Sequence, residues 1–424
     1  MGPLDRLSRR GRIALGAVAA LVVVAVGVYI YTSNRTGNVY NSGARFVPTA
    51  APKPPKKEPT FTWPIFGFTP EHSRDYAASA ALKPPFRVRW RRGSGGLLEF
   101  PPVLRGRTLY QLSDSGELIA LNTENGRRRW RKSLGRLAAS TPALAGGELY
   151  VTLLEGSEGE GLGRVVGLRQ SDGRILWSKS LPSRSESSPM VSGNTIYFGT
   201  EAGTVYAVDR LTGRTLWTYQ AAGAVKGSPT LVNGILYFGD YGGQIQAVSA
   251  RTGAPVWKTQ SEGAAVGSGT FYSTAAVVYG RVYLGNTDGH VYAYDQRTGA
   301  LDWAVQTGSY VYASPAVADV PGLGPTIFVG SYSGYFYALN AQSGAIRWSY
   351  PAGGKISGSA TIIGHVVYFS VLGNHEAIGL SLRTGHRVFR FGDGAFDPGI
   401  SDEHDLFLSG SYVLYCLEPF VRRS

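Results

Sequence analysis

The chain has 424 residues, of which 43% are apolar, so it is too long for one small domain but has enough apolar side chains for a large core. Its 57 glycines and 25 tyrosines predict many short strands joined by tight turns, and the single cysteine, Cys416, excludes an intrachain disulfide. The net charge is +13, and residues 87–136 alone hold twelve basic and four acidic side chains, so the charge is concentrated in one region.

An uncharged apolar segment of nineteen residues runs from Ile13 to Tyr31. As a helix it would be roughly 28 Å long, close to the thickness of the hydrocarbon layer of a bilayer. Arginines precede it, which predicts a short cytoplasmic segment 1–12, a single-pass transmembrane anchor 13–31 in the cell membrane, and an extracytoplasmic location for everything that follows. The alternative is a cleaved signal peptide, but its apolar region is shorter and ends in small residues, unlike VYIYTSN.

The residues after the anchor form a linker. Residues 32–60 include VPTAAPKPPKKEPT and are rich in Pro and Lys but poor in large apolar side chains. This composition predicts an extended tether that holds the next domain away from the membrane and has no chemistry of its own.

A fifteen-residue pattern then recurs seven times, as in GTVYAVDRLTGRTLW (203–217) and GHVYAYDQRTGALDW (289–303). Each copy predicts a strand, a turn that usually ends in Thr-Gly or Ser-Gly, and a strand that ends in an aromatic residue. Glycine permits the positive φ of the turn, and the aromatic ring supplies apolar surface that a lone sheet cannot cover. The ring is therefore predicted to dock the neighbouring copy. With the terminal strand FRVRW included, the predicted docking residues are Trp90, Trp130, Trp177, Trp217, Trp257, Trp303, Trp348 and Phe389.

Each copy has an earlier half, such as SSPMVSGNTIYFGT before 203–217, so one unit holds four short strands. Units of this kind arranged radially form a β-propeller. After Phe389 the chain supplies three strand candidates but no fourth, whereas FRVRW is a fourth strand without its first three. The sequence therefore predicts an all-β fold, an eight-bladed β-propeller of four-stranded antiparallel blades, closed by its N- and C-terminal strands and preceded by one transmembrane helix.

The units resemble the pyrroloquinoline-quinone (PQQ) type repeat, found in the propellers of quinoprotein alcohol dehydrogenases and of the outer-membrane assembly protein BamB. The resemblance covers about residues 86–418 and rests on G-x-x-Y-A-[LV]-[DN]-x-x-[TS]-G-x-x-x-W. It implies that the tryptophans dock neighbouring blades, and that residues 61–85 lead into the first strand and pack on a propeller spanning residues 86–424. Many functions share this fold, so the resemblance predicts fold more strongly than function.

The resemblance also raises the possibility of a quinone-dependent enzyme. Quinoprotein dehydrogenases place adjacent cysteines over the quinone and a Ca²⁺ beside it, whereas this chain has one cysteine. We therefore expect neither PQQ nor Ca²⁺ as a cofactor, and no enzymatic activity. Histidines and acidic residues between 375 and 405 could supply cation ligands, but their spacing follows no metal motif, so polar loops are the preferred interpretation. Cys416 stands where other copies have Ala, which predicts a buried core residue.

Arginines distinguish two adjacent outer strands from the rest of the repeat. Strict alternation of side chains along a strand would place three of them opposite Trp90 and three opposite Trp130. One interpretation is a charged edge that guards against aggregation. The other is a surface that binds anionic lipid or a cell-wall polymer. The six residues are Arg87, Arg89, Arg91, Arg127, Arg129 and Arg131.

Together these features predict a membrane-anchored, extracytoplasmic scaffold that binds other envelope or membrane proteins, with a role in cell-envelope assembly. Nucleic acid is not expected as a partner at an extracytoplasmic site. The alternatives are a quinone- or metal-dependent oxidoreductase and a ligand sensor, although a cytoplasmic segment of twelve residues leaves little room for a signalling output.

Overall fold

The computed structural model of the chain describes residues 21–24, 37–44, 46–47, 60–155, 162–261 and 269–420. Within these residues the protein is a β-propeller of eight antiparallel blades, as the repeat predicts. In each blade the first strand lies at the centre of the ring, where first strands of neighbouring blades contact one another, and the fourth strand forms the outer rim.

Each of blades 1 to 7 takes its four main strands from one continuous stretch of chain. Blade 1 consists of Val103–Arg105, Thr108–Leu112, Glu117–Asn122 and Arg128–Ser133; blade 2 of Ala143–Ala145, Glu148–Leu153, Gly163–Arg169 and Ile175–Leu181; blade 3 of Met190–Ser192, Thr195–Phe198, Thr204–Asp209 and Thr215–Gln220; blade 4 of Thr230–Val232, Ile235–Gly239, Gln244–Ser249 and Pro255–Gln260; blade 5 of Ala276–Val278, Arg281–Gly285, His290–Asp295 and Leu301–Gln306; blade 6 of Ala316–Val320, Gly324–Gly330, Tyr335–Asn340 and Ile346–Pro351; and blade 7 of Thr361–Ile363, Val366–Val371, Glu376–Ser381 and Arg387–Phe391.

Blade 8 closes the ring with strands from both ends of the domain. Gly399–Ser401, Leu406–Ser409 and Val413–Pro419 are its first three strands, and Phe86–Gly93 is the fourth. Trp90 pairs with Cys416 in the middle of the last ladder. Cys416 is buried, in register with the Ala that faces the docking Trp in most other blades. The predicted closure is confirmed, and it leaves the ring without an open blade.

A β-bulge in the fourth strand recurs in all eight blades. In blade 3, Trp217 pairs with Ala207 while Thr215 pairs with Val208, so Leu216 is an extra residue between them. The same shift precedes the docking aromatic residue in every other blade. A bulge interrupts the alternation of faces. The strict alternation expected for the arginine-bearing strands is therefore wrong: Arg89 and Arg129 occupy the bulge positions in blades 8 and 1.

The joint between blades pairs a tryptophan with a glycine of the next blade. The Trp217 ring lies against Gly253, where an added Cβ would stand 2.6 Å from the ring, and its indole N–H donates to the Ala250 carbonyl at 3.0 Å. Seven such joints recur around the ring, but the eighth uses Phe389, which has no N–H to donate and packs instead against Phe86 of blade 8. The turn glycine is thus needed for two reasons: it adopts the positive φ of the turn in its own blade, and its lack of a side chain lets the aromatic ring of the preceding blade approach closely. The seven hydrogen bonds run from Trp90 to Thr123, Trp130 to Gln170, Trp177 to Arg210, Trp217 to Ala250, Trp257 to Gln296, Trp303 to Ala341 and Trp348 to Leu382.

A segment of the lead-in closes the centre of the ring; we call residues 62–76 the plug. Thr62–Trp63 pairs with the first strand of blade 1, and Asp75–Tyr76 pairs in parallel with the first strand of blade 7. Between these ends, plug carbonyls accept hydrogen bonds from the inner edges of four other blades, which would otherwise have no partner there. The donors are Leu144 to Pro64, Leu231 to Pro70, Val277 to Glu71 and Val317 to Ser73, at 2.8–3.0 Å.

Part of the linker also packs on the propeller; we call residues 37–44 and 46–47 the strap. Val39–Tyr40 pairs antiparallel with the fourth strand of blade 5, and Phe46 stacks on Tyr279 at 5.7 Å. The expectation that residues 32–60 form an extended tether throughout is therefore wrong for the strap. Because the strap covers it, the fourth strand of blade 5 is largely buried. In the fourth strands of blades 2, 3 and 4, by contrast, partly buried residues alternate with solvent-exposed ones.

The predicted anchor 13–31 lies almost entirely outside the described residues; residues 21–24, which are described, are helical. In the described part of the chain, no helix is both long and apolar enough to cross a membrane.

Candidate functional site: the mouth of the central channel

A belt of hydroxyl groups lines the channel directly above the plug. In blades 2, 4, 5, 6 and 7, a backbone N–H donates to a side-chain oxygen of the next blade, so the loops that enter the first strands are tied to one another. The acceptor is a Ser or Thr hydroxyl in the first four and a carboxylate in the last. In all five of these blades, the residue three positions further along the chain donates to a plug carbonyl. The belt bonds run from Thr141 to Ser188 (2.9 Å), Ser228 to Thr274 (2.9 Å), Thr274 to Ser314 (2.9 Å), Ser314 to Ser359 (3.0 Å) and Ser359 to the Asp397 carboxylate.

The channel floor is aromatic, with a buried charged pair beside it. Phe66 of the plug lies at the floor with Phe100 and Phe396. The Arg74 guanidinium lies 3.9 Å from the centre of the Phe66 ring. Burial lowers the pKa of Arg74 to about 10, while burial raises the pKa of Asp397 to about 6 against the opposing charge of Arg74. The opposite charges of the two groups attract each other, but Arg74 Nε and Nη2 are buried without a hydrogen-bond partner among the described residues.

Above the floor is a cavity of about 260 Å³ with a wall of tyrosines on one side. Tyr241 and Tyr272 are 6.4 Å apart between ring centres, Tyr272 and Tyr312 are 5.7 Å apart and perpendicular, and Tyr312 and Tyr332 are 4.9 Å apart. Tyr310 extends the wall outward and is half exposed. The rings belong to blades 4 to 6 and form one continuous aromatic surface facing the mouth.

Carboxylates occupy the other side of the mouth. Lys226 Nζ lies 2.5 Å from Glu186 and 3.1 Å from Glu201, and 5.3 Å from the centre of the Tyr241 ring. Burial would lower the pKa of Lys226, but the hydrogen bond and charge of Glu186 raise it, so the ammonium stays protonated. Burial, with the nearby charges of Asp114 and Glu186, raises the pKa of Glu99. Within the described residues, Glu99 has no ion-pair partner.

The donor groups and the size of the mouth limit what it could bind. In the described ranges there is no group of three or more His, Cys, Asp or Glu side chains that could hold a metal ion. The cavity is also below the roughly 300 Å³ at which ligand pockets of drug size begin. The arrangement instead suits a small polar or cationic group against aromatic rings, because acidic oxygens and ring faces both attract positive charge.

The arginines predicted as an anionic-surface site lie on blades 8 and 1, on the rim. Two of them are paired: Arg87 Nε lies 2.6 Å from Glu418, and Arg89 contacts Asp405 at 2.6 Å and Glu418 at 2.8 Å. Hydrogen bonds from both arginines lower the pKa of Glu418.

The other four arginines are less constrained by carboxylates. Arg131 approaches Glu117 at 3.6 Å, and Arg129 donates to the Arg107 carbonyl at 3.3 Å. Arg91 and Arg127 are exposed, with no carboxylate partner among the described residues. The structure thus brings the two rows onto one side of the ring but neutralises part of their charge.

The histidines and acids between 375 and 405 do not converge. Glu376 pairs with Arg390, Asp393 accepts from Tyr415 at 2.9 Å, and Asp397 belongs to the channel floor.

The mouth itself was missed by the sequence reasoning. Its side chains come from loops of different length between blades, outside the fifteen-residue pattern. One sequence signal was available: two of these loops carry extra tyrosines before the first strand, at 272 in one and at 310 and 312 in the other.

The fold and the closed channel define the class of the protein: an eight-bladed propeller of PQQ-type repeats whose centre is filled by its own chain. Residues 80–223, 201–321 and 288–406 match the sequence model of the family described as outer membrane protein assembly factor BamB. These matches span most of the chain, which therefore belongs to this family, and the predicted resemblance is confirmed. No curated protein matches the sequence.

Solved structures share the fold. BamB from Moraxella catarrhalis has a TM-score of 0.63 and 18% identity, and the match covers 80% of this chain and 99% of that one. A europium-containing methanol dehydrogenase has a TM-score of 0.68 and 14% identity, covering 85% and 98%. The quinohemoprotein alcohol dehydrogenase from Comamonas testosteroni has a TM-score of 0.65 and 14% identity, covering 86% and 81%. At these identities the likeness establishes the fold alone.

Proposed function

We propose that the protein is a single-pass membrane protein whose extracytoplasmic propeller binds other envelope or membrane proteins and performs no chemistry of its own. The observation that carries the proposal is the closed centre: the plug fills the channel, so what remains is a shallow mouth and a rim, which suit recognition. Membership of the BamB family supports a role in envelope assembly.

The strap supports a particular orientation. Eight residue steps separate Tyr31, the end of the proposed anchor, from Val39 on blade 5, and they span at most roughly 28 Å. The edge of blade 5 is therefore held near the membrane. Blades 8 and 1, which carry the arginines, lie across the ring from blades 4 and 5. The arginine rim then faces away from the anchoring membrane, and its partner is an anionic cell-wall polymer or acidic protein surface rather than the lipid of that membrane.

Cross-linking in intact membranes, followed by purification in detergent, tests the scaffold. We expect discrete neighbouring proteins to co-purify with the wild-type chain and to be reduced when the six rim arginines are changed to Gln. The matched control changes Arg174 and Arg214, at the positions equivalent to Arg127 in blades 2 and 3. If no discrete neighbour is recovered with the wild-type chain, the scaffold is refuted.

Vesicle co-sedimentation tests the orientation. The full-length chain is reconstituted in neutral vesicles and offered separate anionic vesicles or soluble anionic cell-wall polymer, across a salt series. Arginine-dependent binding of the polymer is expected.

The alternative function is a quinone- or metal-dependent oxidoreductase, which the likeness to two dehydrogenases favours. Dye-linked alcohol oxidation by the purified chain with added PQQ and Ca²⁺ would establish it.

A further inference from the structure

The mouth of the channel already holds two ammonium groups of this chain against aromatic rings. Lys226 Nζ lies over Tyr241 at 5.3 Å, and Lys355 Nζ lies over Tyr332 at 5.4 Å. The two pairs mark opposite ends of the tyrosine wall, and Tyr272 and Tyr312 lie between them. The wall is therefore built from rings whose faces accept alkylammonium groups, an attraction that is stronger where water is excluded.

The middle of the mouth has acidic oxygens in excess. Glu186 bonds Lys226 through one oxygen and lies 3.2 Å from the Tyr272 hydroxyl through the other. Glu99 lies in the same cavity, where burial and the like charges of Asp114 and Glu186 raise its pKa. In the described part of the chain Glu99 has no cation beside it. A positive group placed in the cavity between Glu99 and the Tyr272 ring would offset the repulsion between Glu99 and the other carboxylates.

We propose that the mouth binds the cationic end of an alkylammonium or guanidinium group, with Glu99 as its counter-ion and Tyr272 and Tyr312 as its aromatic wall. A cavity of about 260 Å³ accommodates one such group on an aliphatic stem, and its aromatic floor suits that stem. The proposal rests on the proposed scaffold function: the expected source is a Lys or Arg side chain in an exposed segment of a partner protein. It therefore names the chemistry by which the propeller would choose that partner.

Titration of the full-length chain in detergent tests the proposal, with binding followed by calorimetry and by the ring resonances of labelled tyrosine. The probes are the peptide acetyl-Ala-Ala-Lys-Ala-Ala-amide, the same peptide with Nε-acetyl-lysine, and n-butylammonium. We expect the lysine peptide to bind about tenfold more tightly than the acetylated one, because the charge is lost but the stem is kept. Tighter binding of the peptide than of n-butylammonium identifies a protein side chain as the source, and equal binding identifies a small amine.

Substitutions locate the site. Glu99→Gln and Tyr312→Leu should each weaken binding of the lysine peptide at least about fivefold. Glu124→Gln, an exposed carboxylate of blade 1, is the matched control and should leave it unchanged. Unaltered circular dichroism and melting temperature would show that the variants fold.

Equal affinity for the charged and acetylated peptides would overturn the proposal, as would binding that survives Glu99→Gln. Binding of an N-acetylglucosamine oligomer in place of the cation would also overturn it, since the tyrosines would then be a saccharide platform. This test can fail independently of the proposed scaffold function. If neighbouring proteins still co-purify with the Glu99→Gln and Tyr312→Leu variants, the mouth is not the partner-binding site, but the scaffold function is unaffected.

Discussion

Gly253→Ala should loosen the joint between blades 3 and 4. The glycine has a φ of +73°, and an added Cβ would stand 2.6 Å from the Trp217 ring, well inside van der Waals contact. A side chain at this backbone conformation costs about 1 kcal/mol. Displacing the ring also weakens the 3.0 Å hydrogen bond from Trp217 to Ala250, which contributes about 1 kcal/mol, and forfeits packing of similar size. We expect the free energy of unfolding to fall by about 3 kcal/mol.

The chain offers a matched control within the same blade. Gly234 has a φ of +78°, but an added Cβ there would meet no atom within 4 Å, so Gly234→Ala isolates the backbone strain. It should cost about 1 kcal/mol in the same urea titration. Combining Gly253→Ala with Trp217→Leu should cost less than the sum of the two single changes, because the clashing ring is gone. Equal destabilisation by Gly253→Ala and Gly234→Ala would refute the account of the joint.

Three further outcomes are expected. Burial raises the pKa of Asp75 to about 6, so the folded protein binds more protons than the unfolded chain between pH 4 and 6 and loses stability as pH rises through that window; urea titrations should find Asp75→Asn more stable than wild type at pH 7, by roughly 2 kcal/mol, and equal to it below pH 4. Ala304→Arg introduces the charge that blades 8 and 1 carry at this position and should release the strap, detected as faster proteolysis near Val39, whereas unchanged cleavage would contradict its docking on blade 5. Deleting residues 86–92 should lower the melting temperature of the whole ring, since the third strand of blade 8 loses its partner; an unchanged melting temperature would mean that closure contributes nothing.

The number of blades, the closure of the ring and the docking aromatic residues could all be predicted from the sequence. These features follow from short-range rules repeated at a fixed period: an apolar strand, a turn that needs glycine, and a ring too large for one sheet to cover. The chain lacks a fourth strand after Phe389 and has one unpaired strand before Gly93. Because a closed ring has no open edge, these two observations together predicted that the N-terminal strand completes the last blade.

The bulges, the strap and the mouth depend on contacts between distant parts of the chain and could not be predicted from the sequence. The bulge before each docking residue changes which face of the sheet the arginines occupy. The pattern of residue types along the strand does not predict this bulge. The strap contains a two-residue strand in a Pro-rich linker, and this strand depends on an edge of blade 5 that is distant in the chain. Val39 pairs with Ala304 and Tyr40 pairs with Trp303. The mouth brings Glu99, Glu186, Lys226 and Tyr272 together from loops of separate blades. These four side chains are close together only because the ring closes. The repeat fixes where each loop lies in its own blade, but the loops differ in length, so the repeat does not predict which side chains reach the centre.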